Sequence, residues 1–192
     1  MQAKDAQGVL IAGAGPCGMV AAAALASQGI PVTVFEAQSE LPVDLRASTF
    51  HPPTLDLLDR FPGVTADLIR QGLIARTWQY RDRIAGPVAT WDLGLLSADT
   101  NHPYRLQAEQ WRLTRIFAER LRTWPQARVL FGHEVTGASQ SADEARLNVR
   151  TPEGERVFSG AWAIGADGAN SAVRRSLGIP FDGITLPELY LT

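Results

Sequence analysis

One cysteine, Cys17, is all that 192 residues contain, so no internal disulfide can hold this chain together. A redox-active pair would need a second thiol, and a lone one suits a reducing compartment. Histidine is scarce too. His51, His102 and His133 are scattered with no cysteine cluster, so the spacing of a structural zinc site is absent and no metal is expected. Charge of either sign is not in excess. The formal net charge of -2 gives no electrostatic reason to expect nucleic acid as a partner. No repeat or low-complexity segment stands out. An uninterrupted apolar run is also lacking, because the longest one is broken by Gly13, Gly15, Pro16 and Gly18, poor material for a membrane helix. What remains is a chain long enough for one domain with a sizeable core.

The interrupted run, "VLIAGAGPCGMVAAAALASQGIPVTVFEA" from Val9 to Ala37, has two readings. As an export signal it would have Lys4 before the apolar stretch and a small-residue cleavage pattern at Ala24 to Ser27. Asp5 cancels that positive start, the glycines break the apolar region, and the β-branched "PVTVFEA" has no reason to follow a signal. A retained N-terminus and a cytoplasmic location are therefore expected.

As a nucleotide site, the same stretch gives each glycine a task. "GVLIAG" is a short apolar strand of the kind buried in a parallel sheet. Gly13 turns the chain off it, Gly15 lets a pyrophosphate approach the backbone, and Gly18 lets the next helix pack closely on the sheet. That helix is expected over Pro16 to Gln28, with Pro16 tolerated in its first turn and Gly29 ending it. Its N-terminus carries free N–H groups and about half a positive charge, a seat for phosphate. The second strand delivers Glu36 about 20 residues past the glycines, where a carboxylate can accept both hydroxyls of an adenosine ribose. Glu36 argues against a 2′-phosphate there, since two anions would meet.

Farther on the pattern is mixed. Helical spacing covers Pro52 to Phe61 and Thr65 to Gly72, separated by Pro62-Gly63. Two strands, Ala75 to Arg83 and Pro87 to Leu93, join around Ala85-Gly86. Leu106 to Trp124 reads as one amphipathic helix, with Trp111, Leu113, Ile116, Phe117 and Leu121 on or near one face. Four short strands, "ARVLFG", "EVTGASQ", "ARLNVRT" and "ERVFSG", suggest a small antiparallel sheet inserted after the nucleotide-binding start. A last strand, a second glycine-bearing turn and another helix follow in "AWAIGADGANSAVRRSLGI".

Three features together resemble the flavin-dependent aromatic hydroxylases, the p-hydroxybenzoate hydroxylase type of FAD monooxygenase. They are "GAGPCG" with Glu36, the segment "LRASTFHPPTLDLLD", and the Asp-Gly stretch "GADGANSAVR" from Gly165 to Arg174. "YRLQAEQWRLTRI" is similar to the family's helix that begins with a glutamine near the flavin. The resemblance runs from Val9 to about Pro180. It implies an α/β fold: a Rossmann-like FAD/NAD(P)-binding domain, with a parallel sheet and helices, an inserted antiparallel sheet and the start of a substrate domain. The domain division it implies is an FAD-binding part over 1–75 and 106–180, strands on the substrate side over 76–105, and the beginning of a truncated substrate domain over 181–192.

Carried over residue by residue, the resemblance places Gly13, Gly15, Pro16 and Gly18 under the FAD pyrophosphate and Glu36 on the adenosine ribose. Arg46 would lie beside the pyrophosphate and ribityl chain, Gln107 on the ribityl hydroxyls and Val135 against adenine. Asp167 is the acid of the Asp-Gly pair, in a region the family uses for FAD and for the nicotinamide path. Ser171 is read as a helix cap. Arg174 and Arg175 either meet the phosphates of a nicotinamide cofactor or form a solvated helix face. His51 either tunes the flavin, as an imidazole beside it can, or only begins a proline-rich helix. Trp78, Tyr80 and Trp91 are read as aromatic core packing.

The implied chemistry is the cofactor's: NADPH or NADH reduces FAD, O₂ is activated, and a small aromatic substrate is hydroxylated while the protein binds, orients and excludes water. No protein nucleophile or metal is required. Two other readings stay open, an NAD-dependent dehydrogenase and an FAD-binding fragment without turnover of its own. Family members carry a Gly-Asp fingerprint downstream of the Asp-Gly one, and no counterpart is found here. A missing C-terminal portion or a partner chain is the expected source of the rest.

Overall fold

The computed structural model describes residues 8–43, 47–185 and 187; Arg46 lies outside the described residues. In chain order, β1 (Val9–Ala12), α1 (Pro16–Ala26) and β2 (Val32–Glu36) come first. β3 (Thr49–Phe50), α2 (Pro52–Leu58), α3 (Val64–Arg70) and β4 (Leu73–Ala75) follow. A hairpin of β5 (Thr77–Asp82) and β6 (Gly86–Asp92) leads through a short 3-10 turn to β7 (Arg105–Gln107) and α4 (Gln110–Leu121). The rest is β8 (Ala127–Phe131), β9 (Glu134–Gln140), β10 (Ala145–Thr151), β11 (Gly154–Gly160), β12 (Trp162–Gly165) and α5 (Ala172–Ser176).

A parallel sheet in the order β12-β1-β2-β8 forms the centre. Every residue of β1 is buried, which is why that strand has no alternation: both of its faces are covered. On one face α1 and α4 pack, α1 through Met19, Ala22, Ala23 and Ala26, α4 through Leu113, Ile116, Phe117 and Leu121. Small alanines on α1 let the two helices and the sheet approach closely. The other face is covered by the antiparallel sheet β11-β10-β9 and by α5. There Leu10, Ala12 and Phe35 bury against Leu147, Val149 and Val173. The result is three layers; the α/β class agrees with the sequence, while the antiparallel sheet covering the second face is a finding of the structure. No described helix is long and apolar enough to cross a membrane.

Four expectations are corrected. Of the four short strands expected in one antiparallel sheet, only β9, β10 and β11 form it; Ala127–Phe131 instead pairs parallel with β2 at the edge of the central sheet, because α4 returns the chain alongside β2. The helix expected from Leu106 begins only at Gln110, because Arg105–Gln107 is the central strand of a sheet ordered β3-β7-β4. Leu106 is fully buried there, and backbone bonds from Ala108 to Ser48 O and from Gln110 to Ala47 O hold the connection extended. The strand expected from Ala75 to Arg83 is two strands in different sheets, for Leu73–Ala75 pairs with β7 whereas Thr77–Asp82 pairs with β6. Finally, Trp78, Tyr80 and Trp91 are not core. Trp78 and Trp91 face each other across the hairpin, ring centroids 4.3 Å apart, and each is 46% exposed. Tyr80, on the same face as Trp78, is exposed as well, since no layer of the described residues covers this two-stranded sheet.

Candidate functional site

The carboxyl ends of β1, β2 and β12 converge on one side of the parallel sheet. β2 flanks β1 on one side and β12 flanks it on the other, so the chain leaves β1 at a switch point, where open α/β sheets bind ligands. A cleft of about 540 Å³ opens there. Its floor is the turn Gly13 to Pro16, one wall is Glu36 to Gln38, and the far wall includes Val135, Asp167 and Gly168.

The turn is built by close approach. Gly13 has φ 95°, and a Cβ on it would lie 2.5 Å from the Ala166 carbonyl oxygen. A Cβ on Gly18 would lie 2.0 Å from the Gly13 carbonyl oxygen, so this glycine sets the distance between α1 and the strand turn. Gly15 differs: a Cβ there would meet nothing within 4 Å among the described residues. The backbone above it is open to the cleft. No described side chain caps α1, whose N-cap is Gly15 and whose first helical residue is Pro16. First-turn N–H groups that lack an acceptor within the helix therefore face an approachable space, the arrangement that binds phosphate.

Glu36 stands at the end of β2, its carboxylate held by two backbone donors. Ala14 N–H donates to Oε2 at 2.9 Å and Gln38 N–H to Oε1 at 3.0 Å. Each oxygen keeps a further lone pair for a ligand hydroxyl. Asp167 is engaged differently. Its Oδ2 accepts the N–H groups of Ala172 (2.7 Å) and Val173 (3.2 Å), and its Oδ1 accepts the Ser171 hydroxyl at 2.6 Å. Ser171 Oγ in turn accepts the Arg174 N–H at 2.9 Å. Asp167 and Ser171 together cap α5, so Asp167 borders the cleft chiefly as the acid that fixes the Asp-Gly turn.

Of the residues expected to bind a cofactor, the cleft gathers Gly13, Gly15, Pro16, Glu36, Val135 and Asp167. Gly18, in the first turns of α1, is buried against the strand turn and acts through packing. Gln107 is away from the cleft lining, on β7, where its Oε1 accepts the Thr49 hydroxyl at 3.0 Å. Arg175 borders the cleft, whereas Arg174 turns away and stacks its guanidinium over Phe181, 4.5 Å from the ring centroid. His51 is the exposed N-cap residue of α2 and does not border the cleft. Gln110, Trp111 and Thr114, at the start of α4, do border it. Periodicity puts Trp111 with the apolar face of the helix; instead it is half-buried, with the guanidinium groups of Arg112 and Arg115 4.7 and 4.8 Å from its ring centroid. Helical spacing cannot separate it from the core face, because position 111 lies at the edge of that face.

Known proteins match this chain along nearly its whole length. The family model described as "FAD binding domain" matches residues 6–187. A para-nitrophenol 4-monooxygenase of Pseudomonas sp. (strain WBC-3) is 33% identical over 181 residues, covering 94% of this chain and 45% of that protein. A 6-hydroxy-3-succinoylpyridine 3-monooxygenase of Pseudomonas putida (strain DSM 28022 / S16) is 36% identical over 186 residues, covering 96% and 47%. The crystal structure of a p-nitrophenol 4-monooxygenase from Pseudomonas putida DLL-E4 superimposes with a TM-score of 0.89 at 32% identity, over 94% of this chain and 45% of that one. The chain thus spans about half the length of these relatives.

Proposed function

The chain belongs to the family of FAD-binding domains that aromatic hydroxylases share, and we propose that it holds the ADP half of FAD for an aromatic-ring monooxygenase. One observation carries this reading: the uncapped N-terminus of α1 opens beneath Gly15, with the Glu36 carboxylate on the adjoining wall of the same cleft. The diphosphate would lie over Gly13 to Pro16, where backbone N–H groups supply donors. Glu36 would accept the ribose hydroxyls through lone pairs its backbone donors leave free. Val135 would contribute an apolar surface for adenine, and Arg175 a positive charge beside the diphosphate. Arg46 and Gln107 are proposed, on the resemblance alone, for the ribityl side.

When bound, FAD supplies the redox chemistry that carries electrons from NADPH or NADH to oxygen in ring hydroxylation. The part of this chain's residues is to bind and orient. Asp167 and Ser171 hold the Asp-Gly turn so that the far wall keeps its position, and Glu36 fixes the turn after β1. We assign a small phenol-like aromatic as the substrate class, since the named relatives act on para-nitrophenol and on a hydroxypyridine. A C-terminal portion or a partner chain is proposed to complete the substrate side, over the exposed aromatic face of the β5–β6 hairpin. A cytoplasmic setting belongs to the same proposal, the apolar run Val9–Ala12 being a buried strand of the central sheet. The proposed domain division remains 1–75 with 106–180 for FAD, 76–105 on the substrate side and 181–192 as the beginning of a substrate domain.

The test is a titration of the purified chain with FAD, followed by flavin fluorescence. FAD should bind and ADP should displace it, because the cleft recognises the shared ADP half; FMN, which lacks that half, should not compete. Binding of NAD with no binding of FAD would favour the dehydrogenase reading instead.

A further inference from the structure

Far from the cleft, α2 ends on acids. Asp56 stands in its last turn, Asp59 is its C-cap, and no basic residue lies in that turn. Carbonyl groups at a helix C-terminus carry partial negative charge, so two carboxylates there call for a cation. His102, 43 residues beyond Asp59, reaches this end of the helix. We propose that Asp56, Asp59 and His102 form a binding site for one divalent transition-metal ion of the zinc class.

The geometry carries the proposal. One ligand atom from each of the three residues lies within 4.8 Å of the other two. His102 Nε2 is 2.8 Å from Asp59 Oδ2. Tetrahedral ligands about 2.0 Å from zinc are about 3.3 Å apart, so the pair needs to part by only about half an ångström to admit the ion. The other ring nitrogen, Nδ1, is 2.9 Å from the Tyr104 hydroxyl, which fixes the imidazole with Nε2 toward the carboxylates, as outer partners of metal-bound histidine do. Thr100 Oγ1 lies 2.9 and 2.7 Å from the two Asp56 oxygens but has one proton to give, leaving one oxygen available.

A separate observation points the same way. The Thr65 hydroxyl, 4% exposed, lies beside the Asp59 carboxylate and has no partner at full hydrogen-bond geometry among the described residues. A buried hydroxyl left so is costly, and a metal drawing Asp59 inward would bring an acceptor to it. One imidazole and two carboxylates form a donor set that suits zinc or cobalt better than calcium. Bound there, the ion would fasten the chain returning from the β5–β6 hairpin to the end of α2. Sequence spacing conceals the site because its ligands come from two distant segments.

The experiment uses the chain stripped with EDTA and titrated with Zn²⁺ by calorimetry, with thermal melting alongside. One equivalent should bind, and the melting temperature should rise. Co²⁺ in its place should give a visible absorption band of tetrahedral intensity. His102→Ala and Asp59→Asn should each weaken binding at least about tenfold, while Cys17→Ser changes nothing. Asp56→Asn, which keeps an oxygen for Thr100, decides the matter if either variant fails to fold. Absence of saturable binding at about 100 µM Zn²⁺, or equal affinity in all three ligand variants, overturns the proposal.

Discussion

Glu36 Oε2 accepts the Ala14 backbone N–H at 2.9 Å, a bond across 22 residues that joins the end of β2 to the glycine turn after β1. The acid proposed for a ribose is thus also a brace for the loop proposed for the diphosphate. Glu36→Ala should weaken FAD binding by about 1–3 kcal/mol, from lost ribose contacts and a loosened turn together. Glu36→Gln keeps one carbonyl oxygen as an acceptor and should lose less. Flavin fluorescence titration of both variants measures the difference, and equal affinities for wild type and Glu36→Ala would remove Glu36 from the site.

Gly15 and Gly18 should separate ligand binding from folding. Among the described residues a Cβ at position 15 meets nothing within 4 Å, so Gly15→Val should fold with nearly the wild-type melting temperature and lose FAD, its side chain filling the space of the diphosphate. At position 18 a Cβ would collide with the Gly13 carbonyl at 2.0 Å, so even Gly18→Ala should lower the melting temperature. Calorimetric melting beside FAD titration reads both outcomes. A strongly destabilised Gly15→Val would contradict the open geometry.

Why the nucleotide end is legible in the sequence and the middle is not has a local cause. Between Val9 and Glu36 each conformational demand falls on neighbouring residues: an apolar strand, a positive φ at Gly13, a proline opening the helix, an acid closing β2. From position 49 to 107 the partners are distant. Leu106 is helical by periodicity, yet it is held extended between Phe50 and Ile74, and no window of neighbouring residues contains both. The exposure of Trp78 and Trp91 is hidden for the same reason. A pair of aromatics on one hairpin face looks the same in sequence whether or not a further layer covers it.

Acid should weaken the α3–α4 contact. A hydrogen bond from Arg120, opposed by burial and aided by the charge of Arg70, holds the Asp67 carboxyl below its ordinary pKa. Arg120 also donates to the Pro62 carbonyl at 2.6 Å, so one guanidinium ties α4 both to α3 and to the loop that precedes it. Because the folded pKa is depressed, the stabilisation is present above the unfolded value, about 3.9, and is lost as pH falls through the folded one. Partial solvent exposure of all three side chains keeps the effect small. Between about pH 5 and 3 the melting temperature of Asp67→Asn should fall less than that of wild type, by about 1–4 °C. Parallel pH profiles for the two proteins would show that Asp67 contributes nothing.

The last expectation concerns turnover. Hydroxylation requires a ring held against the reacting centre and water kept away, and those are the protein's share of the work. Among the described residues the cleft is walled on the nucleotide side, by Gly13 to Pro16, Glu36 and Val135. The aromatic face of the hairpin, with Trp78, Tyr80 and Trp91, is open to solvent. A flavin held by its ADP half in this chain would leave its ring system wet. The chain loaded with FAD and supplied with NADPH or NADH should therefore release hydrogen peroxide, if it oxidises the nicotinamide at all, and should not hydroxylate a panel of phenols and hydroxypyridines. Hydroxylated product formed in step with nicotinamide consumption would refute this, for it would mean that the open face already suffices to orient a substrate. If a polypeptide matching the remaining length of the relatives restores coupling when added, Trp78→Ser and Trp91→Ser should reduce that rescue while leaving FAD affinity unchanged. The tryptophans lie outside the cleft, so a loss of FAD binding in those variants would show that hairpin and cleft are not separable.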